Sequence, residues 1–315
     1  MNITAISGGL GGARFALALQ QAALADAATF ITNVADDWVV DGLLVCPDTD
    51  AVLYALEGRF DEERGWGIRG DEFRHVGTGT ASWFSLGEQD RRRHERRTAL
   101  LDAGLTLAEA TATIAREAAL GTSIIPAGAA PRGTVVVTDA GPCAFQEWLV
   151  RDHAQPAVTD VHWPSGSDEP SAGVLDAIRT ADVVVLTSSS PVASLEPTLG
   201  LNGVRDELRD RKQAGRPVVL VSPVVGTAPT LERDLRRHHA RAALLAARGV
   251  PHEPLAVAGL YGDLVTHLVL DPADAHLAGR VPDGIVGVVA PIVEQDPDSR
   301  AALVDGCVSG VRSSA

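Results

Sequence analysis

Lysine is almost absent from this chain: Lys212 is the one example in 315 residues, so nearly all the positive charge is arginine. Basic side chains are also outnumbered, 27 against 41 acidic ones, leaving a formal net charge of -14. That balance argues against nucleic acid and anionic membrane as partners, because both are gripped by clustered Lys and Arg that release counterions from phosphates. It leaves room for a small anionic ligand, which a few Arg groups, backbone amides or a bound cation can hold. Cysteine is scarce as well. Cys46, Cys143 and Cys307 are odd in number and far apart, which speaks against a disulfide framework or a Cys-based zinc site and for a reducing compartment. Long apolar runs are missing too, since no charge-free stretch reaches the roughly 20 residues needed to cross a bilayer. Met1 to Ser7 has neither the length nor the basic leader of a signal peptide. A soluble cytoplasmic protein is expected.

Apolar material is plentiful at 45% of residues, enough to build a core. Short β-branched runs at Ile3 to Ile6, Gly133 to Thr138, Ala181 to Thr187, Pro217 to Ser222 and His267 to Leu270 read as buried parallel strands. Between them, Ala13 to Ala25, Thr106 to Ala119, Gly203 to Ala214 and Ala228 to Arg248 have helical character. The alternation predicts an α/β, Rossmann-like, doubly wound and mostly parallel sheet. Residues 60–125 break the rhythm and read as a helical insertion, so that 1–59 and 126–315 form the nucleotide- and substrate-binding core. The run Arg91 to Arg97, interrupted by His94 and Glu95, is either a solvated helix face or an anion-binding one. Trp163 to Ser171 reads as a loop, and Ser309 to Ala315 as a frayed tail.

Two clusters carry chemistry. Strand Ile3 to Ile6 runs into Ser7-Gly8-Gly9-Leu10-Gly11-Gly12-Ala13-Arg14 and then a helix. Glycines let backbone approach a ligand closely, and a helix N-terminus offers unpaired N–H groups to a phosphate or carboxylate. The pattern is neither a Walker A loop, whose Lys is missing, nor a complete dinucleotide fingerprint; the plainer reading is helix-on-sheet packing. The second cluster is Asn33-Val34-Ala35-Asp36-Asp37, Asp41 and Pro47-Asp48-Thr49-Asp50. Five acids within fifteen positions repel one another unless a proton or cation lies between them. Mg²⁺ held by one or two carboxylates and a substrate's phosphates would relieve that repulsion, and one carboxylate could accept a proton from an attacking hydroxyl. Helix capping and turn formation are the alternative use of the same residues.

Gly8 to Arg14, Asn33 to Asp37 and Gly42-Leu43-Leu44-Val45-Cys46-Pro47-Asp48-Thr49-Asp50 together resemble the 2-phospho-L-lactate transferase family, the CofD and FbiA proteins of deazaflavin coenzyme F-420 biosynthesis. The likeness continues in order through Gly65-Trp66-Gly67, Trp83-Phe84-Ser85-Leu86-Gly87, Phe145-Gln146-Glu147-Trp148, Gly173 to Ile178, Ser190-Pro191-Val192 and Val221 to Gly226, then weakly through Tyr261-Gly262-Asp263-Leu264. The resemblance implies an enzyme that moves a phospho-lactate or phosphoenolpyruvyl moiety from a guanosine-diphosphate-linked donor to the terminal ribityl hydroxyl of the deazaflavin Fo, releasing GMP with Mg²⁺ present. Carried onto this chain, it implies Asp37 and Asp48 as catalytic acids, Asp37 activating the acceptor, and Asp37, Asp48 and Asp50 as metal ligands. It implies nucleotide binding by Gly8, Gly9, Gly11, Gly12, Ser189, Ser190 and Pro191, and substrate binding by Asn33, Asp36, Trp83, Phe84 and Asp90. Spacing alone does not rank the acids. Trp83 and Phe84 suit either stacking on the flat deazaflavin or core packing, and His94 reads as structural before catalytic. Many members are dimers, but no feature of this sequence decides the point.

The departures gather on the donor side. Ile125-Pro126 leads into Ala127-Gly128-Ala129-Ala130-Pro131-Arg132, where the family shows acids. A Ser-Asn-Pro turn has become Ser189-Ser190-Pro191; Leu86-Gly87-Glu88-Gln89-Asp90 and Thr227 to Asp234 also drift. These changes fit a paralogue with an altered donor or acceptor. A nucleotide-sugar-binding regulator on the same fold, and a nicotinamide-dependent dehydrogenase, are the competing readings from other classes.

Overall fold

The computed structural model describes residues 1–76, 83–164, 168–226 and 234–312. Its strands are β1 (Ile3–Ser7), β2 (Ala28–Thr32), β3 (Trp38–Val40), β4 (Leu43–Val45), β5 (Phe73–Val76), β6 (Phe84–Gly87), β7 (Ser123–Pro126), β8 (Val135–Thr138), β9 (Gly141–Ala144), β10 (Val158–His162), β11 (Val183–Leu186), β12 (Val218–Val221), β13 (His267–Leu270) and β14 (Val286–Val289). The helices are α1 (Gly9–Gln21), α2 (Pro47–Leu56), α3 (Glu88–Asp102), α4 (Leu107–Glu117), α5 (Val174–Thr180), α6 (Glu196–Leu199), α7 (Val204–Gln213), α8 (Leu235–Ala247), α9 (Pro254–Gly259) and α10 (Pro297–Arg312). Among the described residues no helix is long and apolar enough to cross a membrane.

Seven strands form one parallel sheet in the order β14-β13-β12-β11-β1-β2-β7. Its inner strands are continuous apolar runs because both faces are covered. Val183 and Val185 of β11 and Val219 and Val221 of β12 point into one apolar layer, with α1, α2, α4 and α10. Val184, Leu186, Val218 and Leu220 point into the other, with α5, α7, α8 and α9. The chain builds outward from β1 through β2 to β7, then returns to β11 and builds the other way. The order therefore reverses between β1 and β11, and ligands of open α/β sheets bind outside the carboxyl ends of strands at such a point. The expected doubly wound, Rossmann-like sheet is present.

Several expectations are corrected. Gly133 to Thr138 is not a strand of the main sheet: β8 lies in a separate antiparallel sheet, between β10 and β9. It buries only alternate residues, such as Val136 and Thr138, and an apolar one-faced strand looks like a fully buried one in sequence. The segment 60–125 is not purely helical. It holds the β5–β6 hairpin as well as α3 and α4, and its last residues, Ser123 to Ile125, belong to β7, which pairs with β2. The signal for β7 was faint because its final residue is Pro126, tolerated on an edge strand. Helix α1 starts at Gly9 rather than Ala13. Helix α10 continues to Arg312, beyond the supposed fraying point at Ser309. Parts of the expected Trp163–Ser171 loop and the start of the expected Ala228–Arg248 helix lie outside the described residues.

Candidate active site

Beside the switch point lies a cavity of about 540 Å³. Its floor is where the β1–α1 turn meets the loop after β11. The Gly8 amide donates to Ser189 Oγ (2.8 Å), and the same hydroxyl donates back to the Gly8 carbonyl (2.8 Å). Gly11 allows this approach, since a Cβ there would fall 2.4 Å from the Ser188 carbonyl oxygen. Gly8, Gly9, Gly11, Ser189 and Ser190 line the cavity. Gly12 and Pro191 do not: Gly12 packs α1 against Ser7 and Val52, and Pro191 is buried at the start of the next helical turn.

Asp48 sits on the glycine turn. Pro47 opens α2, so Asp48 and Asp50 fall in its first turn, where acids complement the helix dipole. Asp48 accepts from Asn33 Nδ2 (2.8 Å), from the Gly9 amide and from Ser194 Oγ (3.4 Å). A Cβ on Gly8 would lie 2.6 Å from this carboxylate. Two amides of the presumed anion-binding turn, those of Gly8 and Gly9, are thus already engaged by the protein itself. Burial pushes the Asp48 carboxyl up to about 6, the three donors limiting the rise. Asn33 is buried and does not line the cavity. Its amide bridges Asp48 and the Ala193 carbonyl while its Oδ1 accepts from the Ala35 amide (3.0 Å), so it positions the acid rather than touching an acceptor.

The adjacent acids Asp36 and Asp37 part company. Asp36 lines the cavity; burial and the charge of Asp48, then that of Asp37, push its carboxyl well above the usual range. Asp37 is buried behind the wall, and neither of its oxygens accepts a hydrogen bond of ordinary geometry among the described residues. Burial holds it well above the normal range despite Arg97 and the Cys46 thiol. The acid expected to activate the acceptor therefore does not face the cavity, and its neighbour does.

Asp50 is also placed differently from expectation. Arg97, itself fully buried, donates from both terminal nitrogens to its two carboxylate oxygens, and His94 Nδ1 lies 3.5 Å away. Burial works against the charge, but Arg97 and then His94 override it and hold Asp50 below its ordinary value. With both oxygens engaged by Arg97, it is part of a structural ion pair and not an open ligand. On the cavity side, Asp90 accepts from the Tyr54 hydroxyl and lies 3.3 Å from His94 Nε2. The arginine run resolves into paired charges: Arg91 with Glu95, Arg92 with Glu88, Arg93 with Glu57 and Arg96 with Glu117, with only Arg93 and Arg97 turned inward. No group of three His, Cys, Asp or Glu side chains is arranged to hold a metal among the described residues. Asp36, Asp48, Asp50, Asp90 and Asp234 line the cavity, and Asp36 Oδ1 is buried without a hydrogen-bond partner among the described residues.

An aromatic wall stands nearby. Trp83 stacks on Trp38 (centroids 5.6 Å apart, planes 15° apart), and Phe84 meets Trp38 edge-on at 4.7 Å. Trp83 and Phe84 both line the cavity, so each packs on a small apolar cluster and presents a surface to a ligand. Phe145 and Trp148 belong to the core, as expected, with Phe145 and Gln146 at the cavity's edge.

Part of the lining is basic, and sequence reasoning missed it. Arg14 at the cavity side of α1 and Arg236, Arg237, His238 and Arg241 of α8 supply it. The acid among them, Asp234, lies 3.5 Å from Arg14 and 3.4 Å from Arg237. Arg237 also donates to the carbonyls of Arg64 (3.0 Å) and Gly65 (3.1 Å), tying α8 to the loop carrying Trp66. Arg241 Nε donates to His252 Nε2 (3.1 Å).

This geometry meets the comparisons with known proteins. The family model for 2-phospho-L-lactate transferase CofD matches residues 3–277. The chain belongs to the 2-phospho-L-lactate transferase family. It is with that family a transferase. It is 36% identical to the phosphoenolpyruvate transferase of Streptomyces coelicolor, covering 96% of each chain. It is 32% identical to the 2-phospho-L-lactate transferase of Methanothermobacter thermautotrophicus, covering 89% of this chain and 88% of that one. A crystal structure of a UPF0052 family protein from Bacillus halodurans superposes with a TM-score of 0.59 over 96% of this chain and 99% of the other. At 16% identity that likeness speaks for the fold alone. The departures noted at Thr227 to Arg233 fall outside the described residues; those at 127–132 include Arg132, which is taken up by the Pro197 carbonyl (2.9 Å) and Asp168 (2.6 Å).

Proposed function

We propose that this transferase moves a phospho-lactate or phosphoenolpyruvyl group from a guanosine-diphosphate-linked donor to the terminal ribityl hydroxyl of the deazaflavin Fo, releasing GMP. One observation carries the reading: a single cavity at the switch point is lined together by ionisable acids, arginines and a flat aromatic wall. In the transfer, the hydroxyl oxygen bonds to the phosphorus bearing the three-carbon acid. The anhydride P–O bond breaks, GMP leaves with the bridging oxygen, and the hydroxyl proton goes to a base.

Asp48 is the base this geometry supports. It faces the cavity, three donors fix its orientation, and a carboxyl near 6 is mostly ionised at neutral pH yet basic enough to take a proton in the transition state. Asp36 stands beside it. Their mutual repulsion, with the unpartnered Asp36 Oδ1, fits a divalent cation of the Mg²⁺ type that Asp36 would hold together with ligand phosphates, leaving Asp48 to take the proton. When bound, Mg²⁺ would neutralise charge building on the transferring phosphoryl oxygens. Trp83 and Phe84 offer the acceptor ring a stacking surface, and Asp90, held by Tyr54, can accept from its polyol hydroxyls.

The enolpyruvyl donor is the first to try, because relatives at 36–37% identity are named phosphoenolpyruvate transferases. The test supplies the guanylylated enolpyruvyl and lactyl donors separately with Fo and Mg²⁺, following GMP and the phosphorylated deazaflavin by chromatography. Stoichiometric formation of both products from either donor supports the reading. GMP without deazaflavin product would replace it with hydrolysis, and absence of both would overturn it.

A further inference from the structure

The anion-binding feature visible in the sequence, the glycine turn, is largely spent inside the protein: the Gly8 amide goes to Ser189 and the Gly9 amide to Asp48. A phosphate seated on that turn would also meet the Asp48 carboxylate at close range, like charge against like. Arginines also line the cavity. Arg14, Arg237 and Arg241 face it from two elements, and the acid placed among them is Asp234. Arg241 spends only its Nε, on His252, among the described residues, which leaves the two-pronged end of its guanidinium available. Arg237 gives Nη2 to two carbonyls and Nη1 to Asp234, so it is held in place and contributes charge rather than an open fork. Arginine presents paired N–H donors that match the oxygens of a phosphate, and pre-placed forks lose little freedom on binding.

We infer that Arg237 and Arg241 of α8, with Arg14 of α1, form the diphosphate site of this cavity, and that the glycine turn instead serves to hold Asp48. This rests on the transferase reading for the identity of the natural ligand, but the anion site stands on the arginines themselves. Supporting it, burial draws the Arg241 guanidinium down to about 10, with Arg14 adding to the fall and Asp234 opposing it. Burial and then Arg241 push His252 down to about 4, so at neutral pH this imidazole accepts from Arg241 and adds no charge of its own. A positive group that is costly to bury is stabilised most by an anion brought to it. In a transfer that expels GMP, the same arginines would face the charge gathering on the leaving phosphate.

Titration with inorganic pyrophosphate, followed by calorimetry at low and moderate salt, tests the site without any turnover. The full chain is expected to bind it, with affinity falling as salt rises. Arg241→Gln and Arg237→Gln should each weaken binding about tenfold or more, and Arg241→Lys, which keeps the charge but not the fork, by less. Arg92→Gln, on an exposed and paired position of α3, should leave it unchanged. Melting curves of each variant confirm that a loss is not unfolding; should Arg241→Gln fail to fold, Arg237→Gln and Arg241→Lys carry the test. No pyrophosphate binding by the wild-type chain, or binding within twofold of wild type in the folded α8 variants, overturns the inference. Binding lost in those variants, alongside a failed Fo transfer assay with wild type, upholds the site and removes the transferase reading instead.

Discussion

The acidic and basic parts of the cavity lining are built on opposite plans. On the acidic side charge is concentrated and then restrained: Asp48 is held by Asn33, Gly9 and Ser194, Asp50 is neutralised by Arg97, and Asp36 is left raised and partly unpartnered. On the basic side Arg14 and Arg237 pair with Asp234, and Arg241, which gives its Nε to His252, lines the cavity beside them. A carboxylate must be fixed and tuned to act as a base, whereas a phosphate site needs only donors held in place. On the proposed reading, the restrained acids do the chemistry and the arginines bind.

The sharpest way to break this comparison is to remove the base. Asp48→Asn keeps the shape and is expected to lower kcat/KM about 10³-fold, within the range for a positioned general base; a loss below threefold in a transfer assay would assign the proton to another group. Next comes the charge behind it. Arg97→Met leaves Asp50 buried and uncompensated, and denaturant unfolding should report a loss of about 3–5 kcal/mol, largely recovered in the Arg97→Met, Asp50→Leu double variant. Gly11→Ala places a Cβ against the Ser188 backbone, with an expected loss of about 1–3 kcal/mol by the same measurement. Trp83→Ala should raise the KM for the deazaflavin by about threefold to tenfold, equivalent to a stacking contact of about 0.5–1.5 kcal/mol, with little change for the donor.

The pH dependence sharpens the same contrast. Asp48 must be ionised to act, so kcat/KM should rise with pH up to about 6 and level off above. For stability the sign is reversed. The folded carboxyl binds its proton more tightly than the unfolded one, whose value is near 3.8, so this group's contribution is greatest below that value and is lost as pH rises through about 6. Asp48→Asn should abolish the kinetic step and flatten that part of the stability profile.

How much of this was legible in the sequence follows the same division. The glycine turn, the Asp48 region and the sheet were readable because short motifs sit at strand ends and apolar runs mark buried strands. Asp36 and Asp37 could not be told apart, since neighbouring residues in one turn send their side chains to different sides and only the backbone path decides which faces the ligand. Asp50 shares α2's first turn with Asp48, yet its partner Arg97 lies 47 positions away. The arginines of α8 gave no signal. In sequence they resemble the Arg91–Arg97 run, which the structure pairs almost wholly with acids. What separates the two is the return of the chain across the sheet, which brings α8 and not the outer face of α3 to the cavity. The β7 edge strand and the antiparallel placement of β8 were hidden for a similar reason: pairing partners are not local.

The most direct test of the account is a crossed experiment on two variants, Asp48→Asn and Arg241→Gln, each measured for GDP affinity by calorimetry and for single-turnover transfer to Fo. The account predicts that Asp48→Asn binds GDP within about threefold of wild type while its transfer step slows about 10³-fold. It predicts that Arg241→Gln loses about tenfold or more in GDP affinity. Equal losses of affinity in both variants, or undiminished transfer by Asp48→Asn, would contradict the division of the cavity lining into acids that react and arginines that bind.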